Sequence, residues 1–326
     1  MASIRDVAKR AGVGVGTVSR TLNGTGYVSE ETRKKIEAAM EELSYTPNEL
    51  ARNLFRNRTG IIGIIVPDMD HPFFSALCRV METTLYERGY KTMICNTIGI
   101  SNREKDYLDM LDRNMVDGII TAAHSLDGEE YLKRKKPIVS MDRNFGPEIP
   151  LVGSNHAMGG KLAAELLVKN GCRKVLLLSG ISPFVVSNER HTSFRKIMAQ
   201  NNVELVDAIM DWNRFSYEAH YKTAKEYLRL YPDVDGIFGS DYGAVACLNV
   251  LLEMGRKVPE EVKIVGFDGT SITRITNPKV TAVRQNIQIV GEVCVDSILK
   301  QIEKEETVPQ RQMIQVEMQY GGTTIQ

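Results

Sequence analysis

The sequence predicts two parts: a small all-α helix-turn-helix head, and an α/β core of two lobes, each built on a doubly wound parallel sheet. The first sixty residues contain helix signals and no strand candidate. Beyond residue 60, short β-rich apolar runs alternate with amphipathic stretches, the order typical of parallel sheets with helices on both faces. The tripeptide Asp117–Ile119 recurs as Asp235–Ile237, each time entering a strand after a helix, which indicates two similarly built lobes.

Three short helices are predicted in the head. Ser3 can cap a first helix that Gly12 ends, and a second helix runs from about Val15 to Leu22. Ser29 can cap a third helix, because its hydroxyl can accept a hydrogen bond from an amide of the first turn. Two helices joined by a tight glycine turn are typical of a helix-turn-helix. The inward-facing apolar residues are Ile4, Val7, Ala8 and Ala11 in the first helix, Val18 and Leu22 in the second, and Ile36, Met40 and Leu43 in the third.

A positively charged connector follows the head. Residues 1–60 hold ten Lys/Arg against seven Asp/Glu, so this part carries a net charge of +3 in a chain of net charge zero. Pro47 breaks the chain, and residues 48–59 contain three arginines together with Leu50 and Leu54 at helical spacing. Such a segment is either a solvated linker or one that orders against phosphates, and its cations and leucines favour the second. The predicted boundaries are 1–46 for the head, 47–59 for the connector and 60–326 for the core.

The core alternates strand and helix along its length. Short apolar runs between turn residues are typical of buried strands, and a 3.6-residue apolar period is typical of helices. The strand candidates are 61–66, 92–95, 118–120, 138–141, 175–178, 236–238 and 263–267. The helix candidates are 74–88, 160–169, 217–229, 244–254 and 289–304.

Length and composition exclude several classes of protein. At roughly 150 residues per domain, a chain of 326 residues forms about two globular units with substantial cores. With 43% hydrophobic and 25% charged residues, the chain is neither wholly disordered nor of low complexity. The longest apolar run, 61–66, is far shorter than the ~20 residues of a membrane helix. The N-terminus lacks the basic and apolar stretches of a secretory signal, so a cytoplasmic protein is expected.

No motif indicates catalysis, a cofactor or a metal. Gly12, Gly14 and Gly16 suggest a dinucleotide loop, but Thr17 stands where a third glycine is required, and no strand candidate precedes these residues. The P-loop, H-E-x-x-H and G-x-S-x-G motifs do not occur, and the five histidines have no ligand spacing. Five cysteines lie far apart with no C-x-x-C pair, which predicts reduced and mostly buried thiols.

Five runs of the sequence carry a resemblance to a known family. Ile4–Val13, Thr17–Asn23 and Val28–Arg33 lie in the head, and Tyr45–Asn48 and Leu50–Leu54 lie at its end. They resemble the headpiece and hinge helix of the lactose/galactose repressor (LacI/GalR) family. The rest of the chain fits that family's sugar-binding core, which resembles the periplasmic ribose-binding proteins. The lobes expected from this fold are an N-lobe of about 60–156 plus 287–318 and a C-lobe of about 157–286 plus 319–326.

The resemblance implies a DNA-binding surface on the second helix. By position, Val15, Gly16 and Arg20 face the major groove, and Leu54 enters the minor groove. Arg20 can donate two hydrogen bonds to guanine O6 and N7. Gly14 replaces a helix-capping serine that is usual in the family, and Gly16 offers no side chain to a base. The full set of predicted DNA-binding residues is Val15, Gly16, Thr17, Ser19, Arg20, Asn23, Arg52 and Leu54.

The resemblance also implies a sugar site between the lobes. Its predicted residues lie at strand ends or in crossovers, where open α/β sheets bind ligands. Carboxylates accept hydrogen bonds from sugar hydroxyls, arginine donates to them, and aromatic rings cover the apolar faces of the sugar. The predicted effector-binding residues are Asp70, Phe73, Phe74, Asp142, Arg143, Arg190, Phe215, Ser240, Asp268 and Gln285. Phe73 and Phe74 are expected to sandwich the sugar, Ser240 stands where the family commonly has a sugar-binding asparagine, and adjacent Asp241 is expected to be structural.

The predicted function is a cytoplasmic homodimeric repressor that binds a palindromic operator and changes its affinity when a small sugar binds. A pentose or ketohexose inducer is favoured, with no cofactor, no enzymatic activity and no membrane partner. One alternative is a global catabolite regulator of the same family, controlled by a phosphocarrier protein. A transport-type sugar-binding protein or a sugar enzyme is the alternative from another class.

Overall fold

A computed structural model describes residues 2–23, 26–45, 58–98, 100–123, 125–180, 188–210, 216–304 and 308–325. The chain forms two compact units, Met1–Gly60 and Ile61–Gln326. The predicted connector between 47 and 57, with Leu50, Arg52 and Leu54, lies outside the described residues. Among the residues described, no helix is both long enough and apolar enough to span a membrane.

The head contains three helices, α1 (Ile4–Ala11), α2 (Val15–Asn23) and α3 (Glu30–Glu42). The predicted caps are confirmed: Ser3 and Asp6 form a reciprocal capping box at α1, and Ser29 accepts a hydrogen bond from the amide of Thr32 at α3. Gly12 ends α1 with a φ of 66°, a left-handed conformation that glycine adopts without steric cost. The buried residues that hold the three helices together are Val7, Ala8, Val18, Ile36 and Ala39.

The N-lobe is a parallel six-stranded sheet between helices. Its strands are β1 (Ile61–Val66), β2 (Lys91–Asn96), β3 (Gly118–Thr121), β4 (Ile138–Met141), β5 (Leu151–Ser154) and β11 (Arg311–Ile314). Its helices are α4 (Pro72–Glu87), α5 (Ser101–Met110, followed by a π-helical turn at Leu111–Met115), α6 (Gly128–Leu132) and α12 (Ile287–Glu303). The strand order is β11-β5-β4-β3-β1-β2. Strands β1, β3 and β4 are almost wholly buried because helices cover both faces of the sheet.

The C-lobe repeats this plan. Its strands are β6 (Lys174–Gly180), β7 (Glu204–Met210), β8 (Gly236–Phe238), β9 (Lys263–Asp268), β10 (Thr281–Gln285) and β12 (Val316–Gln319). Its helices are α7 (His156–Lys169), α8 (Asn188–Gln200), α9 (Tyr217–Leu230), α10 (Asp241–Glu253) and α11 (Ile272–Ile275). The strand order is β12-β10-β9-β8-β6-β7, with β12 antiparallel to its neighbour β10 and all other pairs parallel.

The chain crosses between the lobes three times. The first two crossings end at helix caps, since Asn155 accepts a hydrogen bond from an amide of α7 and Asn286 from an amide of α12. The third falls at Gln315, between β11 and β12. This corrects the boundary near 318 that the sequence predicts, because the residues of β12 already pair with β10 in the C-lobe sheet.

All five cysteines are free and buried, as predicted. Burial alone raises the pKa of the Cys95 thiol to about 11 and that of Cys78 to about 12. These thiols act as small apolar side chains in the cores of both lobes.

Candidate functional site

Helix α2 exposes one face of the head. Val15 is 42% exposed, and Gly16 and Arg20 are also exposed, whereas Val18 on the opposite face is fully buried. Arg20 Nε donates to the carbonyl oxygen of Gly16 at 3.2 Å, which aligns the guanidinium with this face. A side chain at position 16 would meet no atom within 4 Å, so the surface above the first turn is open.

The other predicted DNA-binding residues divide into two groups. Thr17 and Ser19 are partly buried, and the carbonyl of Thr17 accepts a hydrogen bond from Thr21 Oγ1 at 3.0 Å. The Asn23 side chain, Arg52 and Leu54 lie outside what the structure describes. Gly14 starts α2 without a side-chain cap, and its carbonyl accepts from the amides of Thr17 and Val18.

Tyr27 is a candidate that sequence reasoning missed. Tyr27 is 90% exposed, and it follows Gly26, where a β-carbon would lie 3.4 Å from Arg20 Cδ. A single exposed aromatic ring is ordinary on a protein surface, so the position of Tyr27 beside Arg20, rather than its exposure, makes it a candidate. An aromatic residue within a polar turn next to the second helix is the signal that could have identified it.

A buried polar cluster occupies the cleft between the lobes, at the carboxyl ends of the strands. Arg190 of α8 lies with Nη1 3.8 Å from Oδ1 of Asp268, the last residue of β9. Gln285, the last residue of β10, donates from Nε2 to the same Asp268 oxygen at 2.7 Å. Asp142, which follows β4 in the N-lobe, is near enough to both charged groups to influence their pKa values. The structure therefore brings together four of the ten predicted effector-binding residues.

Burial controls the electrostatics of this cluster. It raises the pKa of Asp268 to about 6, although the positive charge of Arg190 and the hydrogen bond from Gln285 both oppose the rise. Burial lowers the pKa of Arg190, against the attraction of Asp268 and Asp142. Burial thus disfavours the charged form of both groups, and the opposite charge of each partner offsets part of that effect.

Backbone geometry at the strand ends directs the two aspartates. Asp142 has a φ of 55° and Asp268 a φ of 119°, both in the left-handed region that residues other than glycine rarely adopt. Strain of this kind concentrates at binding and catalytic sites, where surrounding contacts hold it in place. His156 Nε2, at the start of α7, lies 2.9 Å from Asp142 Oδ1.

Packing against α7 fixes Arg190. Its guanidinium lies 3.9 Å from the centre of the Phe267 ring, and the His156 ring stacks near that phenylalanine at 5.6 Å. Gly160 brings α7 against the backbone of α8, since a β-carbon at this position would overlap the carbonyl oxygen of Arg190. A glycine is required here for close approach rather than for a special φ.

Arg143 lies in a different cluster from Asp142. Its guanidinium is 4.7 Å from the Phe145 ring, and burial lowers its pKa while Glu104, Tyr131 and Asp127 oppose the shift. Glu104 is itself buried and accepts from Tyr131 Oη at 2.7 Å. Adjacent residues at the end of a strand point to opposite sides, so the two predicted ligands separate.

The sandwich expected from Phe73 and Phe74 is corrected by the structure. Both rings are buried in the N-lobe core, and they meet edge to face with centres 5.3 Å apart and planes at 79°. Successive residues of a helix face different directions, so the pair does not form two parallel plates. The Asp70 side chain is exposed, at the edge of this region.

Of the remaining candidates in the C-lobe, Ser240 has a structural contact and Phe215 is not described. Ser240 caps α10 by accepting from the amide of Gly243, and its hydroxyl lies 3.3 Å from His220 Nε2. Asp241 accepts hydrogen bonds from the amides of Gly269 and Thr270, the structural role that the sequence analysis expected. Phe215 lies outside the described residues.

An exposed helix in a helix-turn-helix head and a buried polar cleft between two α/β lobes define a ligand-responsive DNA-binding regulator. Residues 3–48 match the family described as bacterial regulatory proteins, lacI family, and residues 164–324 match the periplasmic binding protein-like domain. The chain belongs to the LacI family of bacterial transcription regulators. The predicted family and fold class are confirmed.

The relatives are repressors and regulators rather than enzymes. The sucrose operon repressor of Streptococcus mutans is 38% identical over 312 residues, which cover 94% of this chain and 95% of that protein. The ribose operon repressor of Halalkalibacterium halodurans is 36% identical over 305 residues, 93% of this chain and 91% of that protein. The solved complex of the transcriptional regulator CelR with cellobiose is 28% identical and superposes with a TM-score of 0.72, covering 99% of this chain and 100% of that one.

The raised pKa of Asp268 predicts how stability depends on pH. Between its usual value of 3.8 and about 6, the folded state holds a proton that the unfolded state has released, so the free energy of unfolding falls as pH rises. Asp268→Asn should remove this part of the slope, because the amide oxygen can still accept from Gln285. Urea unfolding of both proteins from pH 4.5 to 7 measures the difference. Equal slopes for the two proteins would show that Asp268 is not held in this buried, partly compensated state.

Proposed function

We propose that the protein is a sugar-responsive transcriptional repressor that binds its operator as a homodimer and lowers its DNA affinity when a small sugar enters the cleft. The cluster of Arg190, Asp268, Gln285 and Asp142 carries this proposal, since it places donors and acceptors from both lobes around one buried position. The names of the relatives, sucrose operon repressor and ribose operon repressor, support a sugar as the ligand.

The chemistry of the cluster suits a neutral sugar. The Asp268 and Asp142 carboxylates can accept from hydroxyl groups, and Arg190 can donate to ring and hydroxyl oxygens. An anionic ligand would add a further negative charge to a desolvated site that already holds two carboxylates and one guanidinium, so the cluster disfavours anions. We propose a monosaccharide, with a pentose or ketohexose favoured, that contacts both lobes and stabilises their closed arrangement.

The head would recognise DNA through α2. An exposed helix face with a guanidinium and little side-chain bulk fits the major groove, where an arginine reads guanine. Because Gly16 has no side chain, it would let α2 approach the DNA closely but could not donate a side-chain hydrogen bond to a base. Direct reading of bases would therefore depend on Arg20 and its neighbours. Leu54 and Arg52 would contact the minor groove and the DNA backbone from the connector, and this part of the proposal rests on the resemblance alone.

A second copy would pair along the N-lobe edge. Strand β2 is at the edge of its sheet, and Ile94 on it is 40% exposed. Ile98 and Ile100, just beyond the strand, are each 52% exposed. Exposed edge strands with apolar side chains favour pairing with another chain. A two-fold dimer of this kind matches a palindromic operator.

Sugar binding would act on DNA through the arrangement of the lobes. If sugar favours a closed core and operator favours the other arrangement, the two ligands oppose each other by a single coupling free energy. The names of the relatives, sucrose operon repressor and ribose operon repressor, favour a sugar over the alternative of control by a phosphocarrier protein. A cytoplasmic location follows from the proposed role on DNA.

Loss of Arg20 should change base preference. Arg20→Ala should weaken the best operator by about 1 to 3 kcal/mol and flatten the preference at one symmetric base pair, because a bidentate contact to guanine is lost. Binding to a library of operator variants measures both effects. Arg10→Ala is a matched control, since Arg10 lies on α1 and pairs with Glu42 at the surface. An Arg20 variant with unchanged base preference would remove Arg20 from the recognition surface.

A panel of pentoses, hexoses, disaccharides and their phosphates tests the sugar proposal by thermal shift. A ligand at 100 times its Kd stabilises a protein by about 2.7 kcal/mol. Arg190→Ala should abolish the shift and leave the operator complex insensitive to sugar, because Asp268 then lacks its cationic neighbour. Arg195→Ala is the control, since Arg195 lies on the same helix and pairs with Asp207 instead. A shift that survives in the Arg190 variant would contradict this site.

A further inference from the structure

Side-chain contacts among the described residues also join the lobes away from the crossing residues themselves. Arg311 at the start of β11 pairs with Glu189 of α8 at 3.3 Å, on the sheet edge that carries two of the crossings, and another contact lies further from that edge. Tyr242, the second residue of α10 in the C-lobe, donates from its hydroxyl to the backbone carbonyl oxygen of Asp70 at 2.9 Å. Asp70 lies in the loop between β1 and α4 of the N-lobe. Because the acceptor belongs to the backbone, this bond needs the tyrosine hydroxyl and no particular side chain at position 70.

The strand order puts this contact at the open side of the cleft. Two of the three crossings leave the N-lobe from β5 and β11, which form one edge of its sheet. Strand β1 is three positions further along, and at about 4.8 Å per strand this is roughly 14 Å from β5. A contact at this distance from the crossings must break when the lobes separate. By contrast, Asn155 Nδ2 donates to Gln315 Oε1 at 3.4 Å within the crossings themselves, and this hydrogen bond can persist when the lobes separate.

Aromatic rings from both lobes pack around the Tyr242 ring. His71 of the N-lobe meets its ring edge-on at 5.2 Å and 78°, while Tyr217 and His220 of the C-lobe lie 6.2 Å away. Burial, with the nearby charges of His220 and Arg190, lowers the pKa of His71 to about 3, so this ring is neutral at physiological pH. The contact with Tyr242 is therefore one between uncharged rings, and it depends on close packing of the lobes.

The Tyr242 hydroxyl also stays protonated and can therefore donate a hydrogen bond. Burial and the neighbouring Asp68 and Asp70 raise the pKa of its hydroxyl, so the group remains protonated. Tyr242 directly follows Asp241, whose carboxylate accepts a hydrogen bond from the amide of Gly269, the residue after Asp268. The rings around Tyr242 and the cluster thus adjoin in the same cleft.

We propose that Tyr242 is a latch that holds the lobes together over the bound sugar, a role that rests on the sugar-binding function proposed above. Its hydroxyl does not need to touch the sugar. It stabilises only the closed arrangement, since a hydrogen bond of 2.9 Å is lost when the lobes separate by about an ångström. Tyr242 is thus a positioning residue that sets sugar affinity and the strength of the response.

Tyr242→Phe tests the latch, because it removes the hydroxyl and keeps the ring. We expect sugar binding to weaken roughly 3- to 10-fold, mainly through faster dissociation, with the same preference among sugars. Tyr221→Phe is the matched control, since its hydroxyl bonds to Glu253 within the C-lobe. The latch is wrong if the Tyr242 variant binds sugar with the parent's affinity and dissociation rate, or if both variants weaken binding equally.

A measurement without sugar separates the latch from the proposed ligand. Spin labels at Asn102→Cys in the N-lobe and Lys222→Cys in the C-lobe, both exposed, report the distance between the lobes in the full chain. The native cysteines are buried and should not compete for the label. Dilution with unlabelled protein isolates distances within one protomer.

Tyr242→Phe should shift the sugar-free distance distribution toward longer values, whereas Tyr221→Phe should leave it unchanged. An unchanged distribution in the Tyr242 variant would overturn the latch even if sugar binds normally. If no sugar in the panel binds the parent protein, the proposed effector is wrong, and the distance shift still decides whether Tyr242 closes the cleft.

Discussion

The structure depends on a buried guanidinium and carboxylate that are close but not joined. Arg190 Nη1 and Asp268 Oδ1 lie 3.8 Å apart, beyond hydrogen-bond distance, and the two side chains are 15% and 6% exposed. A pair in direct bidentate contact would satisfy itself and gain little from a ligand. This pair attracts at longer range, and in the function proposed above the Asp268 carboxylate can also accept hydrogen bonds from the hydroxyl groups of a sugar.

Much of the core serves to maintain that gap. Gly160 lets α7 approach the backbone at Arg190, the Phe267 ring supports the guanidinium, and Gln285 holds one oxygen of Asp268. Left-handed backbone at Asp142 and Asp268 turns both carboxylates out of their strands. Since the residues come from both lobes, any movement of one lobe changes the electrostatic environment of the other, which is the property that a switch requires.

The sequence predicted the fold better than it predicted the site. Capping serines predicted the starts of two head helices, and short apolar runs predicted most strands of the core. Both signals are local, because each depends on residues that are close together in the sequence. Neighbours in the sequence diverge, as Asp142 and Arg143 do at a strand end, and which of them faces the cleft depends on how the whole lobe packs. The burial of Phe73 and Phe74 in the N-lobe core depends on the same long-range packing. Strand β12 was assigned to the wrong lobe since its pairing with β10 depends on long-range contacts. Tyr242 lies two residues before the predicted helix 244–254, and nothing in its sequence neighbourhood indicated that its hydroxyl would join the two lobes.

The central claim is that sugar and operator act on one equilibrium between two arrangements of the core. Calorimetric titration of the selected sugar into the free protein and into the protein saturated with operator tests it most directly. Linkage requires sugar to bind the operator complex more weakly, by the same factor, in the range of about 5- to 150-fold, by which saturating sugar weakens operator binding. Equal sugar affinity with and without operator would contradict the account.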